Sequence, residues 1–182
     1  MMDPLGIDRP VLEYFAHIRT LGGTFFFINL SELAGPPASA GIALIVALVM
    51  YLRRNLAAIA GLAVAFCGAN AAWIIIKELI HRPRPAIALA SFVEPGWSFP
   101  SGHATDAFAL AVFGAILLWT HLAGRARYIA LLPLLLAAVI GFGRVYLGVH
   151  YLTDVLAGAV LGTLSGIAGA VTHATLVRRR AR

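Results

Sequence analysis

Charge is what this chain has least of. Only 12% of its 182 residues are charged against 60% hydrophobic, and the mean hydropathy is +0.87. A water-soluble globule of that composition would leave far too much apolar surface in solvent. The single cysteine, Cys67, excludes an internal disulfide framework and reads as a small buried apolar side chain in the middle of a span. Acids are scarce as well: the eight Asp and Glu residues are scattered singly. That spacing excludes the carboxylate clusters that hold magnesium or a metal pair, so neither metal nor cofactor is expected. The basic residues form no long stripe, which excludes a nucleic-acid partner despite the net charge of +6. Internal repeats and low-complexity linkers are missing too. Asp3, Asp8 and Glu13 stand where a cleavable signal peptide would have a basic start and an apolar run, so the N-terminus is expected to stay on and to lie outside.

Long apolar runs, by contrast, are abundant. Pro37–Leu52, Leu56–Ile80, Ala104–Leu122, Tyr128–Phe142 and Val155–Val177 are each long enough, or nearly so, to cross a hydrocarbon core of about 30 Å at about 1.5 Å per residue. The runs are continuous and rich in Ala, Gly and Leu, without the alternation of a membrane barrel. The expected fold is all-α: a polytopic transmembrane bundle of about five spans in one domain, residues 1–182. Residues 1–35 form an interfacial N-terminal segment. In it Val11, Phe15 and Ile18 recur at helical spacing beside Asp8, Glu13 and Arg19, the pattern of an amphipathic helix on the membrane surface. Phe25 to Leu30 is too short to span, and Gly22-Gly23 separates it from what precedes.

Eight arginines, Arg53, Arg54, Arg125, Arg127, Arg178, Arg179, Arg180 and Arg182, fall on one side of this five-span arrangement. By the positive-inside rule that side is cytoplasmic. The longest polar interruption, His81 to Ser101, and the Arg144–His150 junction then emerge together on the opposite side. Prolines 83, 85, 95 and 100 end the helix there and hold an irregular loop.

Three polar clusters concentrate on that face. The first is Lys77 with Arg84-Pro85, where a snorkelling lysine at a helix end is one reading and an anion ligand the other. In the second, Pro100-Ser101-Gly102-His103 opens an apolar helix. Ser101 and Gly102 suit either a plain N-cap or an anion site at the helix N-terminus, and His103 is explained by neither. The third is Arg144 with His150 and Asp154. The last two are four residues apart, so they share a helical face, as an interfacial hydrogen bond or as a base held in one tautomer by a carboxylate. Three cations converging with two histidines repel one another unless an anion joins them, and a tetrahedral phosphate suits the planar donor fork of arginine.

Lys77-x6-Arg84-Pro85, Pro100-Ser101-Gly102-His103 and Gly143-Arg144-x5-His150-x3-Asp154 together resemble the three-part signature of the type 2 phosphatidic acid phosphatase superfamily. The match in order, spacing and residue type covers Lys77 to Asp154, the catalytic motif region 77–154. Gly143 stands where the family often has Ser, and the first of the six spans that many relatives have is expected to be absent. The resemblance implies a metal-independent membrane phosphatase acting on a lipid phosphate or diphosphate through a phosphohistidine. His150 would be its nucleophile, Asp154 would orient the ring, and His103 would protonate the leaving oxygen and then activate water. Lys77, Arg84, Arg144, Ser101 and the Gly102 N–H would bind the phosphate. The partners implied are the lipid substrate and the bilayer, with no oligomeric state specified. A short outward-facing relative most resembles an undecaprenyl-diphosphate phosphatase of the cytoplasmic membrane, serving cell-wall synthesis. Phosphatidylglycerophosphate or phosphatidic acid hydrolysis, or phosphate transfer to another lipid, is the alternative. A non-enzymatic lipid binder or transporter would not need His150, Asp154 and a second histidine.

Outside the motifs, Asp106 follows His103 by three residues inside an apolar helix, either to tune His103 or as a structural contact. Asn70 reads as a helix-packing residue. Gly158, Gly162, Gly166 and Gly169 on the last span would permit close packing or leave a groove open to lipid.

Overall fold

The structure is a computed structural model that describes residues 6–86 and 89–182. Its elements are α1 (Asp8–Ile18), α2 (Leu21–Ala34), α3 (Pro36–Leu52), α4 (Leu56–Ile80), α5 (Gly102–His121), a 3₁₀ stretch (Gly124–Leu131) running into α6 (Leu132–Tyr146), and α7 (Leu152–Arg180). Four segments are long and apolar enough to cross a membrane: α4, α5, the 3₁₀–α6 unit and α7. The pair α2–α3 qualifies as a fifth if its two halves, bent by 49°, count as one broken span. Pro36 and Pro37 explain the break, because neither can donate to the last carbonyls of α2.

This corrects the reading of Phe25–Leu30. The chain breaks at Arg19 and Thr20, where the Thr20 side chain accepts from Gly23 N at 3.1 Å and caps α2. Gly22 and Gly23 lie inside the first turn, and a Cβ on Gly23 would overlap the Tyr146 hydroxyl. The glycine allows α2 to approach α6.

The bundle is built around α7. A Cβ on Gly158 would come within 2.7 Å of Ser101 O, and one on Gly166 within 2.8 Å of Ala109 O. On Gly162 it would overlap Thr105 O, and on Gly169 the carbonyl of Gly61. The glycine stripe is therefore consumed in packing α7 against α5 and α4, and it leaves no groove. Small buried side chains line the facing surfaces, among them Ala65 and Ala69 of α4 and Ala104 and Ala109 of α5. Without water between helices, close backbone approach of this kind is what holds a membrane bundle together. Large side chains such as Leu44, Leu79, Leu135 and Leu164 point outward, and so does Cys67, which lies on the outer face of α4 and not in the interior expected of it.

α1 is amphipathic, as its pattern predicts, and its apolar side is docked. Val11 and Phe15 pack on Ala104, Val145 and Val155 where α5, α6 and α7 converge. Leu12 is buried, and so is Asp8. The antiparallel order brings the C-termini of α4 and α6 and the N-termini of α5 and α7 to one end of the bundle, beneath α1 and the 81–101 loop.

Candidate active site

The third cluster is organised by a turn. α6 ends at Tyr146, Gly148 turns the chain at φ +72°, and Tyr151 is the N-cap of α7. His150 thus precedes the helix, and the shared helical face expected of His150 and Asp154 is not how they meet. Asp154, at the third position of α7, reaches back: its Oδ2 accepts from Tyr151 N at 2.9 Å and lies 3.5 Å from His150 Nδ1. A Cβ on Gly148 would sit 2.9 Å from an Arg19 Nη and overlap Leu89 O, so the positive φ and the crowding both require glycine.

Ser98 completes the pair. Its hydroxyl donates to Asp154 Oδ2 at 2.5 Å and lies 3.4 Å from His150 Nδ1. On the other side of the ring, Arg84 Nη1 is 3.1 Å from His150 Nε2 and donates to Val149 O at 2.9 Å. A guanidinium can only donate, so Nε2 must be the accepting nitrogen and Nδ1 carries the proton toward Asp154. Burial pushes the imidazole pKa down to about 3, opposed by the Asp154 hydrogen bond and helped by Arg144 and Arg84. His150 is a neutral base at neutral pH, with its lone pair turned to the cations.

Arg84 is held by the loop, donating to Gly96 O and Pro95 O, each at 3.1 Å. Burial, with little relief from the distant Asp154, lowers its pKa to about 10. Lys77 Nζ donates to Trp97 O at 2.8 Å and lies 5.3 Å from the centre of the Trp73 ring. Arg144 is buried. Between Arg84 and Arg144 stands Glu94, one carboxylate oxygen 3.1 Å from Arg84 Nη2 and the other paired with Arg144 Nη2. The carboxylate occupies the position from which an anionic ligand would face both guanidiniums.

The second cluster is joined to the third through the backbone, Ser101 N donating to Asp154 O at 3.1 Å. Ser101 is buried and caps α5, its Oγ 3.5 Å from Ala104 N. Gly102 packs on the Trp73 ring, which a Cβ would meet at 3.4 Å. His103 stands in the first turn of α5, turned to the α2–α3 break. Its Nε2 faces Gly35, and the ring hydrogen-bonds the Ser31 carbonyl. Among the described residues no hydrogen bond joins His103 to the other clusters. Asp106 does not touch His103; its Oδ1 accepts from Asn70 Nδ2 at 3.0 Å and Trp73 Nε1 at 3.2 Å. That is the structural contact of the two readings, and it steadies the ring under Lys77 and Gly102.

Four residues in or behind the site escaped the sequence reading: Ser98, Glu94, Arg82, which donates to Asp154, and Asp8, which accepts from Arg82. Arg82 left a trace in the doubled Arg82-Pro83-Arg84-Pro85, whereas Ser98, Glu94 and Asp8 are single polar residues that carry no pattern. Beneath the site, an apolar cavity of about 700 Å³ lies among α2, α3, α5 and α6, bordered by Ala34, Ile42, Met50, Ala107, Leu118 and Ile140. Ala107 is one helical turn below His103.

The model of the PAP2 superfamily matches residues 56–178. Phosphatidylglycerophosphatase B of Bacillus subtilis is 39% identical over 93 residues, 50% of this chain and 45% of that protein. Decaprenylphosphoryl-5-phosphoribose phosphatase of Mycobacterium tuberculosis is 38% identical over 128 residues, 69% of this chain and 66% of the relative. The chain thus matches between about half and two thirds of the length of these relatives. The crystal structure of a transmembrane PAP2 type phosphatidylglycerolphosphate phosphatase from Bacillus subtilis superposes with a TM-score of 0.79 at 26% identity, covering 92% of this chain and 85% of the other. Aquifex aeolicus LpxE shares the fold, with a TM-score of 0.74 at 24% identity over 93% of this chain and 98% of its own.

Proposed function

This chain belongs to the PAP2 superfamily, and from that premise we propose that it is an integral membrane hydrolase that removes phosphate from a lipid phosphate or diphosphate without a metal. Residues 1–182 act as one domain. The observation that carries this reading is the polarity of the His150 ring: Nδ1 faces Asp154 and Ser98, and Nε2 lies 3.1 Å from Arg84 in a ring of cations.

In this mechanism Lys77, Arg84, Arg144, Ser101 and the Gly102 N–H hold the non-bridging oxygens of the substrate, displacing Glu94. The Nε2 lone pair attacks phosphorus in line, the bond from phosphorus to the lipid oxygen breaks, and that oxygen takes a proton from His103. The imidazole is then positively charged, and Asp154 stabilises it through Nδ1–H. His103, now neutral, takes a proton from water. The hydroxide formed attacks phosphorus, the P–N bond breaks and phosphate leaves. Fixed donors aimed at the non-bridging oxygens supply the stabilisation that a metal supplies elsewhere.

The active-site end faces away from the cytoplasm in this reading, because Arg53, Arg54, Arg125, Arg127 and Arg178–Arg180 stand at the other end of the spans. The scissile phosphate then sits at headgroup depth, and the cavity below His103 takes up lipid tail. Undecaprenyl diphosphate is the substrate we place first, an isoprenoid carrier like the decaprenyl lipid in the name of the mycobacterial relative. The name of the Bacillus subtilis relative supports phosphatidylglycerophosphate as the second reading. Phosphate release by the purified protein from undecaprenyl diphosphate, phosphatidylglycerophosphate and phosphatidic acid in matched micelles tests both. The isoprenoid diphosphate is expected to be hydrolysed fastest. A reversed order rejects the carrier-lipid assignment, and release from none rejects the phosphatase.

A further inference from the structure

Two buried residues outside every motif stand in line behind the His150–Asp154 pair. Arg82 Nη1 donates to Asp154 Oδ1 at 2.6 Å and to Thr153 Oγ1 at 2.7 Å, and its Nη2 donates to Asp8 Oδ2 at 2.7 Å. Asp8 accepts in turn from Thr153 N at 2.9 Å and from Thr153 Oγ1 at 2.5 Å. The guanidinium lies 4.0 Å from the centre of the Tyr151 ring. Asp8 and Asp154 are out of solvent altogether, and Arg82 is 5% exposed.

Taking these charges out of water is costly, and as anchorage for α1 alone an apolar contact would serve as well. α1 already has one in Leu12, Val11 and Phe15. The polar chain does something packing cannot. With Oδ1 committed to Arg82, Asp154 presents Oδ2 to Ser98, Tyr151 N and His150, which fixes the carboxylate plane against Nδ1. The sharing of one guanidinium between two carboxylates matters as much. Asp8 draws on part of the Arg82 charge, so Asp154 keeps more of its own to set against the imidazolium that forms when Nε2 is phosphorylated. Arginine suits this place because its planar fork serves both carboxylates at once, which a lysine point charge cannot do.

We propose that Asp8 and Arg82 are positioning residues of the reaction: Asp8, carried by the N-terminal helix, acts through Arg82 to orient the Asp154 carboxylate and preserve its charge behind the His150 nucleophile. The proposal rests on the reading of His150 as nucleophile. Neither residue touches substrate.

The experiment is a double-mutant cycle on the full chain in detergent, with phosphate release from undecaprenyl diphosphate or phosphatidylglycerophosphate, whichever is turned over, and with vanadate and inorganic phosphate as ligands. His150→Ala is expected to be inactive. Asp8→Asn should lower kcat about 10–100-fold, by analogy with the loss of the carboxylate partner behind a metal-ligating histidine, with KM little changed because the phosphate ligands are untouched. Vanadate, which bonds to Nε2, should bind more weakly to Asp8→Asn, and inorganic phosphate should not. In an Asp154→Asn background, Asp8→Asn should cost no further kcat. Should Asp8→Asn fail to fold, Arg82→Lys keeps the charge, loses the fork and replaces it in the same cycle with the same expectations. Wild-type kcat in the substituted protein, or a loss that multiplies with that of Asp154→Asn, overturns the proposal while leaving His150 as nucleophile. An active, folded His150→Ala protein rejects the nucleophile reading itself, and this proposal with it.

Discussion

Replacing Glu94 by glutamine should make the protein bind phosphate and vanadate more tightly. The Glu94 carboxylate pairs with Arg84 and Arg144, so an incoming anion must first break those contacts. Hydrogen bonds to charged groups are worth roughly 1.5–3 kcal/mol each. Glutamine retains one neutral acceptor, and Glu94 is 18% exposed, so water already weakens the pair. A net release of about 1–3 kcal/mol toward ligand is left, which corresponds to about 5–150-fold in affinity. The same change leaves Arg144, only 1% exposed, without its counter-ion, so the ligand-free variant should melt at lower temperature. Saturating phosphate should then recover more stability in the variant than in the wild type. Inhibition by vanadate and a thermal shift with and without phosphate measure both effects. An unchanged or weaker vanadate affinity in a folded Glu94→Gln protein would refute the idea that the carboxylate holds the position of the substrate phosphate.

Other outcomes follow from the same geometry. His150→Ala should abolish turnover in a folded protein, and His103→Ala should allow a phosphoenzyme to be trapped from a substrate with a good leaving group, detectable as acid-labile phosphate on the protein. The pKa of His150 is about 3 when folded and about 6.5 when unfolded. Between those values the unfolded chain binds more protons, so this contribution to stability is full above about pH 6.5 and drains away as pH falls toward 3. Melting temperature should therefore fall less steeply over that range in His150→Asn than in the wild type; equal slopes would contradict the assignment. Gly162→Ala should destabilise by about 1–3 kcal/mol, because its Cβ overlaps Thr105 O. Gly41→Ala, with open space around it, should be neutral or stabilising, and denaturation in detergent compares the two.

The spans were legible because a bilayer imposes a length and a hydropathy that a sequence cannot disguise. α4, from Leu56 to Ile80, begins and ends where the sequence predicts. The bend between α2 and α3 was harder to read. Its first half, Leu21–Ala34, is too short to register as a span by itself, and Gly22-Gly23 looks like a break where Gly23 is a point of contact with Tyr146. In the site, Lys77, Arg84, Arg144, His150 and Asp154 stood out because charge is rare in this chain. Ser98 and Glu94 did not, since a polar residue in a polar loop is unremarked until the fold shows what it faces. Asp8 was read as the wet side of an amphipathic helix. Periodicity reports which residues share a face, and a buried ion pair arriving from another part of the chain can reverse which face is wet.

The loop that carries half of the site is pinned at its base. Ser98 N donates to Arg82 O at 2.7 Å, and side chains from both residues converge on Asp154. The neck therefore fixes both ends of the segment between them, which sends Arg84 and Glu94 back into the site. Doubling the length of such a loop costs only about 0.6 kcal/mol of closure entropy, provided the neck survives. Insertions between Pro85 and Phe92, which leave Arg84 and Glu94 in place, are thus a place where descendants of this sequence can acquire new headgroup preferences while His150 and Asp154 stay as they are. The same neck gives the protein engineer a graft point for a foreign recognition loop, so long as Arg84 and Glu94 are carried across with it.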